Sequence, residues 1–278
     1  MTLKENKGNT QSTHIDKYME WLEHGRQFSK NTLRDVRGDL ETFDGNLDEA
    51  LRFQFEQYVV KENKRGMASA TVNRRISTMR NYMQWLIDND LRSGKNPVSK
   101  HMTPRVRHEH HKSIGKELLD ELYESANKDV KYAIALMGYA GFRIGEVANL
   151  DNYYYDANGI LAAHLKDTKG GKERHVSLAL VPDPELIKTV IDNGGLQGQR
   201  GRRTANSIWR IVKAHVGKTT PHDLRATFST MLVENDVNVA VVRDMLGHTD
   251  LQGETMTSRY VSTTPVEKQA KELMEVFG

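Results

Sequence analysis

TPHDLRATFSTMLVENDVNVAVVRDMLGHTDLQGETMTSRY, residues 220–260, decides how the rest of the chain is read. Proline at 221 keeps Thr220 out of a helix and suits a first helical position, so a helix is expected to start there. His222 and Arg225 stand three apart and share one face of that helix. Leu224, Phe228, Met231 and Leu232 form an apolar stripe that turns the opposite face into a core. A second amphipathic run, 237–246, stops at Gly247 and leaves His248 in the turn beyond it. Tyr260, the only tyrosine after Tyr155, follows in a polar segment rather than on an apolar stripe.

These residue types suit attack on a phosphodiester. A guanidinium offers a fixed fork of donors that matches phosphate oxygens and stays charged at physiological pH. Imidazoles donate to a phosphoryl oxygen or relay a proton near neutrality. A tyrosine hydroxyl is a covalent nucleophile once neighbouring cations favour the phenolate.

The order His222-x-x-Arg225, then Leu246-Gly247-His248, then Tyr260 resembles the catalytic half of the tyrosine recombinase (phage integrase) family. The resemblance implies a first arginine upstream, and YAGFRIGEVANL supplies Arg143, with Glu146 as the carboxylate that orients it. It also implies a lysine in a β-hairpin turn. DTKGGKERHVSL places Lys169 there, with Thr168 where the family usually has glycine and Lys172 as the lesser candidate. Six positions are thus filled in order: Arg143, Lys169, His222, Arg225, His248 and Tyr260. One departure is the interval from His248 to Tyr260, which is longer than the family's usual one.

The remainder of the chain fits two domains. Its 278 residues can bury two cores. Helical patterns at 14–23, 29–43, 47–63 and 69–88 predict a small all-α bundle within 12–96, preceded by a polar, disordered stretch at 1–11. A linker is expected at 97–113, and a second domain at 114–278 with further helices, a β-hairpin at 160–178 and an amphipathic terminal helix at 265–277. The fold class is therefore mainly α with a small β-hairpin. The resemblance makes the bundle a DNA-gripping core-binding domain, the remainder a catalytic domain, and the terminal helix an element that docks on a neighbouring protomer. Ordinary packing on its own chain is the other reading of that helix.

Charge is permissive rather than decisive, with 40 Lys/Arg against 37 Asp/Glu and a net charge of +3. Its distribution says more. Basic clusters at 95–112, including Arg105 and Arg107, and at 199–213, including Arg202 and Arg203, are candidate phosphate contacts, as are Arg74, Arg75 and Arg80 on the fourth helix. A solvated polar face is the plainer alternative for each. The linker histidines His101, His108, His110 and His111 lack cysteine or a placed carboxylate beside them, so no metal is assigned. No cysteine is present, which excludes disulfides and thiolate chemistry. The first ten residues carry no apolar leader, and the chain is expected in the cytoplasm at the nucleoid.

The resemblance implies a site-specific recombinase, needing no cofactor, that is monomeric alone and tetrameric on paired duplex DNA sites. It passes through a 3′-phosphotyrosyl link and a Holliday junction, in the manner of integrases of mobile elements. A type IB topoisomerase and a DNA-binding regulator that does not cut share enough of these features to stand as alternatives.

Overall fold

The computed structural model describes residues 14–103, 112–166, 173–247 and 264–277. Two compact units, Met1–Glu109 and His110–Gly278, divide the chain. None of the described helices is long and apolar enough to cross a membrane.

In the first unit, α1 (Ile15–Glu20) runs into a π-helical turn (Trp21–Gly25), followed by α2 (Lys30–Leu40), α3 (Arg52–Lys64) and α4 (Ser69–Asp88). Ser29 starts α2 by accepting the Thr32 N–H, which satisfies one of the orphan donors of the first turn. The stripe Val72, Ile76, Met79, Met83 and Leu86 of α4 is wholly buried against Leu40, Phe43, Phe55 and Tyr58.

The pattern at 47–63, expected as one helix, is interrupted. A 3-10 turn (Leu47–Glu49) gives way to extended backbone at Ala50 and Leu51 before α3 begins. Distant side chains impose the break: Arg92 donates to the carbonyls of Asp48 (2.5 Å) and Ala50 (2.9 Å), acceptors that a continuous helix would have used. Tyr82 also holds the Asp48 carboxylate at 2.5 Å. Leu51, four residues before Phe55 and so on its face had the helix been continuous, is consequently 65% exposed, while Phe55 is buried.

The expected linker also loses its first part. Val98 is buried in the first core and Met102 packs against it, while Arg80 donates to the carbonyls of Val98 and Ser99. Residues 104–111 lie outside the described residues.

The second unit is built around α6 (Lys128–Gly138), in which Val130 and every residue from Tyr132 to Gly138 are buried. Around it lie α5 (Lys116–Glu124), α7 (Ile144–Asn149), α8 (Pro184–Asp192), α9 (Ala205–Val216), α10 (Pro221–Glu234) and α11 (Val239–Leu246). A three-stranded antiparallel sheet runs in the order β1 (Tyr153–Tyr155), β2 (Leu161–Leu165), β3 (Arg174–Ser177), with His164 opposite His175. A two-residue pair, β4 (Gln197–Gly198) and β5 (Gly201–Arg202), precedes α9.

The last helix, α12 (Val266–Phe277), packs on β3 of its own chain through buried Val266, Ala270 and Leu273. Buried Gln269 accepts the Ser177 N–H (3.1 Å) and donates to the His175 carbonyl (3.1 Å). Those are the backbone groups that an edge strand otherwise leaves unpaired.

Candidate active site

Arg143 is delivered by the end of α6. The chain turns there through Gly141 in the left-handed region (φ +69°), where an added Cβ would lie 2.5 Å from the Phe228 ring. Arg143 caps α7, and its N–H donates to the Glu146 carboxylate at 2.7 Å, one turn on. Glu146 therefore caps a helix and organises charge with the same group.

Three arginines gather on that carboxylate, which is 5% exposed. Arg174 meets both oxygens in a two-pronged pair, 2.8 Å each, and Arg143 Nη1 donates at 3.0 Å. Arg225 Nη1 lies 3.9 Å away. Burial alone would raise the Glu146 pKa. The charge and hydrogen bonds of Arg174, joined by those of Arg143, outweigh it and hold the group below its ordinary value.

Arg225 comes from α10. Thr220 and Asp223 cap that helix reciprocally, with Pro221 at its first position. The approach is fixed from outside by Lys213, which donates to the carbonyls of Gly217, Lys218 and Thr219 at 2.6, 3.3 and 2.8 Å. His222 is exposed in the first turn, and Arg225 follows three residues later, 11% exposed. The Arg225 fork reaches the carbonyls of Gly141 and Leu246, both at 2.5 Å. Burial, then the positive charge of Arg143, push Arg225 down to about 9, so it remains a cation at neutral pH.

Gly247 ends α11 in the left-handed region (φ 60°, ψ 47°), and its carbonyl accepts from Arg143 Nη2 at 2.9 Å. The structure thus brings Arg143, Glu146 and Arg225 together, with His222 at the entrance to the same helix. Arg143 is the more open of the two arginines, at 27% exposed against 11% for Arg225. Lys169, Lys172, His248 and Tyr260 lie outside the described residues.

Sequence reading passed over Arg174. A signal for it existed, since Arg174 shares a strand face with the buried Val176. A charge at an inward strand position needs a buried partner.

The arginines taken as groove contacts have acceptors in their own units. Arg75 pairs with Glu62 (2.7 Å), Arg80 with backbone carbonyls, Arg202 with the carbonyls of Ala148 (3.0 Å) and Leu150 (2.8 Å), and Arg203 with Asp129 (2.9 Å). Arg74 differs, being held by the buried Asp39 at 2.7 Å while half of its side chain stays exposed. Arg105 and Arg107 lie outside the described residues, as do His108, His110 and His111.

A cluster of guanidiniums on one buried carboxylate is suited to gripping a phosphate and balancing the charge that grows on it during displacement. Residues 105–266 match the phage integrase family, and residues 15–90 match the phage integrase N-terminal SAM-like domain. A tyrosine recombinase of Pseudothermotoga lettingae is 26% identical, over 91% of this chain and 95% of that protein. The tyrosine recombinase XerD of Staphylococcus epidermidis is 26% identical, over 92% of this chain and 97% of that protein. Among solved structures, a lambda integrase tetramer bound to a Holliday junction shares the fold, with a TM-score of 0.66 at 16% identity over 87% of this chain and 78% of that one. The chain belongs to the phage integrase family, the tyrosine recombinases.

Proposed function

We propose that this site-specific DNA recombinase cuts and rejoins strands with Tyr260 as nucleophile and Arg143 and Arg225 as the phosphate clamp. The gathering of both guanidiniums on Glu146 is the observation that carries the reading. Tyr260 Oη attacks the phosphorus as the bond to the 5′ oxygen breaks, leaving a 3′-phosphotyrosyl link. The departing 5′ oxygen takes a proton from Lys169, while His222 and His248 assist proton transfer at the phosphoryl oxygens. A 5′-hydroxyl of the partner strand then attacks the link, releases Tyr260 and restores a phosphodiester, so the bond energy is conserved without ATP.

Duplex DNA is the partner, and a tetramer on two paired sites, assembled from monomers, is the working form. The lambda integrase tetramer on a Holliday junction, which shares this fold, supports that assembly. Arg74 of the first unit meets the DNA backbone, and the protein acts at the nucleoid.

A nicked suicide duplex drawn from sequence flanking the gene tests the chemistry. Wild type should yield a covalent adduct on a denaturing gel, and Tyr260→Phe should bind the same duplex without one. An adduct that persists in Tyr260→Phe rejects the assignment. Relaxation of any supercoiled plasmid without a defined site would indicate a topoisomerase instead.

A further inference from the structure

We propose that Arg174 is a positioning residue for strand cleavage: by taking both oxygens of Glu146 it frees Arg143 to bind the phosphate. The inference rests on the recombinase reading above, and it concerns only side chains that touch no substrate except through Arg143.

The bonding around Glu146 carries it. A carboxylate and a guanidinium prefer a parallel two-pronged pair. Glu146 makes that pair with Arg174, at 2.8 and 2.8 Å, and gives Arg143 a single side-chain bond at 3.0 Å through Nη1. The second Arg143 arm goes to the Gly247 carbonyl at 2.9 Å. Arg143 is thus pinned at two points without being closed face to face on a carboxylate. Remove Arg174, and the buried Glu146 has one ready fork left, that of Arg143. The clamp arginine would then turn inward, and the donors meant for the phosphate would be occupied.

Arg174 is itself fixed. Its side chain is 5% exposed, and its Nη1 lies so close to Gly247 that a Cβ there would overlap it. The neighbouring Arg174 Nε is buried and has no hydrogen-bond partner among the described residues. That arrangement favours the fork to Glu146 over full satisfaction of the guanidinium. The charged groups facing Glu146 are Arg143 at the start of its own helix, Arg174 from β3 and Arg225 from α10.

Single-turnover cleavage of the nicked suicide duplex, measured from pH 5 to 9 with parallel DNA affinity and thermal unfolding, tests this on Arg174→Lys and Arg174→Met. Lysine keeps the charge but not the fork. Both variants should bind the duplex within about threefold of wild type and cleave it about 10–100-fold more slowly, the range typical for loss of a supporting partner. The acid limb of their rate profile should move to higher pH, because Glu146 loses the paired hydrogen bonds of Arg174 in both variants and its counter-charge as well in Arg174→Met. In Arg174→Met/Glu146→Gln, no carboxylate remains to capture Arg143, so the double variant should be no slower than Glu146→Gln alone.

Unchanged rate and pH profile, with only thermal stability lowered, would reduce Arg174 to a structural ion pair and overturn the proposal. So would a double variant slower than Glu146→Gln by the full Arg174 factor. If wild type forms no adduct, the recombinase reading fails on its own account. The carboxyl carbon of Glu146, titrated by NMR in free protein, then decides for Arg174. A midpoint raised in Arg174→Lys supports the assignment of both oxygens to Arg174, and an unmoved one overturns it.

Discussion

Arg225 and Arg143 bond to consecutive carbonyl oxygens, Arg225 to Leu246 at 2.5 Å and Arg143 to Gly247 at 2.9 Å. The last carbonyls of a helix have no partner within it. Here the end of α11 uses them to set the spacing of two cations that come from different helices.

Arg225→Lys should therefore lose more than charge. An ammonium lacks the rigid planar fork that spans the carbonyls of Gly141 and Leu246, and the remaining cation is free to drift from its place. Cleavage of the suicide duplex should fall by about 100–1,000-fold, the usual effect of removing one preorganised donor from a charged transition state. DNA affinity, measured in parallel, should change little. Equal losses in affinity and rate would place Arg225 in binding rather than in the transition state.

Glu146→Gln should destabilise the second unit in a pH-dependent way. The folded pKa of Glu146 lies below its unfolded value, because Arg174 and Arg143 outweigh burial. Its ionised form therefore adds stability that is present above the unfolded pKa and disappears as pH falls through the folded one. Breaking one side of a buried pair costs about 3–5 kcal/mol. The gap between wild type and Glu146→Gln should be full at pH 7 and close toward pH 3 in denaturant unfolding. A gap independent of pH would mean that shape, not charge, is what Glu146 contributes.

Much of this was legible because its causes are local. The helix starts at Ser29 and Thr220 follow from capping residues and Pro221, and Gly247 ends α11 as a left-handed residue should. Arg143 and Glu146 stand three apart in sequence and meet for that reason. The misses have distant causes. Tyr82 and Arg92 break the helix by bonding to Asp48 from 34 and 44 residues away. Arg174 finds Glu146 across 28 residues, and a charged side chain on a short strand is by default assigned to water. Nothing near Arg80 in sequence announces that the carbonyls of Val98 and Ser99 will fold back onto it.

In the first unit, Asp39→Asn should behave oppositely to Glu146→Gln. Burial, opposed by the Thr78 hydrogen bond and by the charges of Arg74 and Arg75, leaves the Asp39 pKa above its ordinary value. Such a group contributes stability below its unfolded pKa and loses it as pH rises through the folded one. Relative to wild type, Asp39→Asn should thus become more stable between pH 4 and pH 7 in thermal unfolding. A difference that runs the other way would mean that the ion pairs to Arg74 and Arg75 dominate.

Arg74, which Asp39 anchors, should be read through salt. If its exposed half meets a phosphate, Arg74→Ala should weaken duplex binding and reduce the slope of log affinity against log salt by about one. Arg75→Ala, whose guanidinium is turned to Glu62, should lower thermal stability and leave that slope alone. An identical slope in wild type and Arg74→Ala would remove Arg74 from the interface.

Gln269 tests where the terminal helix belongs. Its amide closes the edge of β3 by accepting from Ser177 and donating to His175, and Nε2 also donates to the Thr264 carbonyl at 2.9 Å. Gln269→Leu keeps the volume but strands the buried Ser177 N–H, at a cost of about 1–3 kcal/mol, and takes the donor from the part-buried carbonyls of His175 and Thr264. Leu273→Ala, at a fully buried position, should cost about 2–5 kcal/mol through the cavity it leaves. Because α12 packs within one chain, both losses should be the same at any protein concentration. Unfolding midpoints that rise with concentration in wild type, and cease to do so in either variant, would instead place the helix on a neighbouring protomer. In that case the edge of β3 would be filled by a second copy, and the contact would belong to assembly rather than to the fold of the single chain.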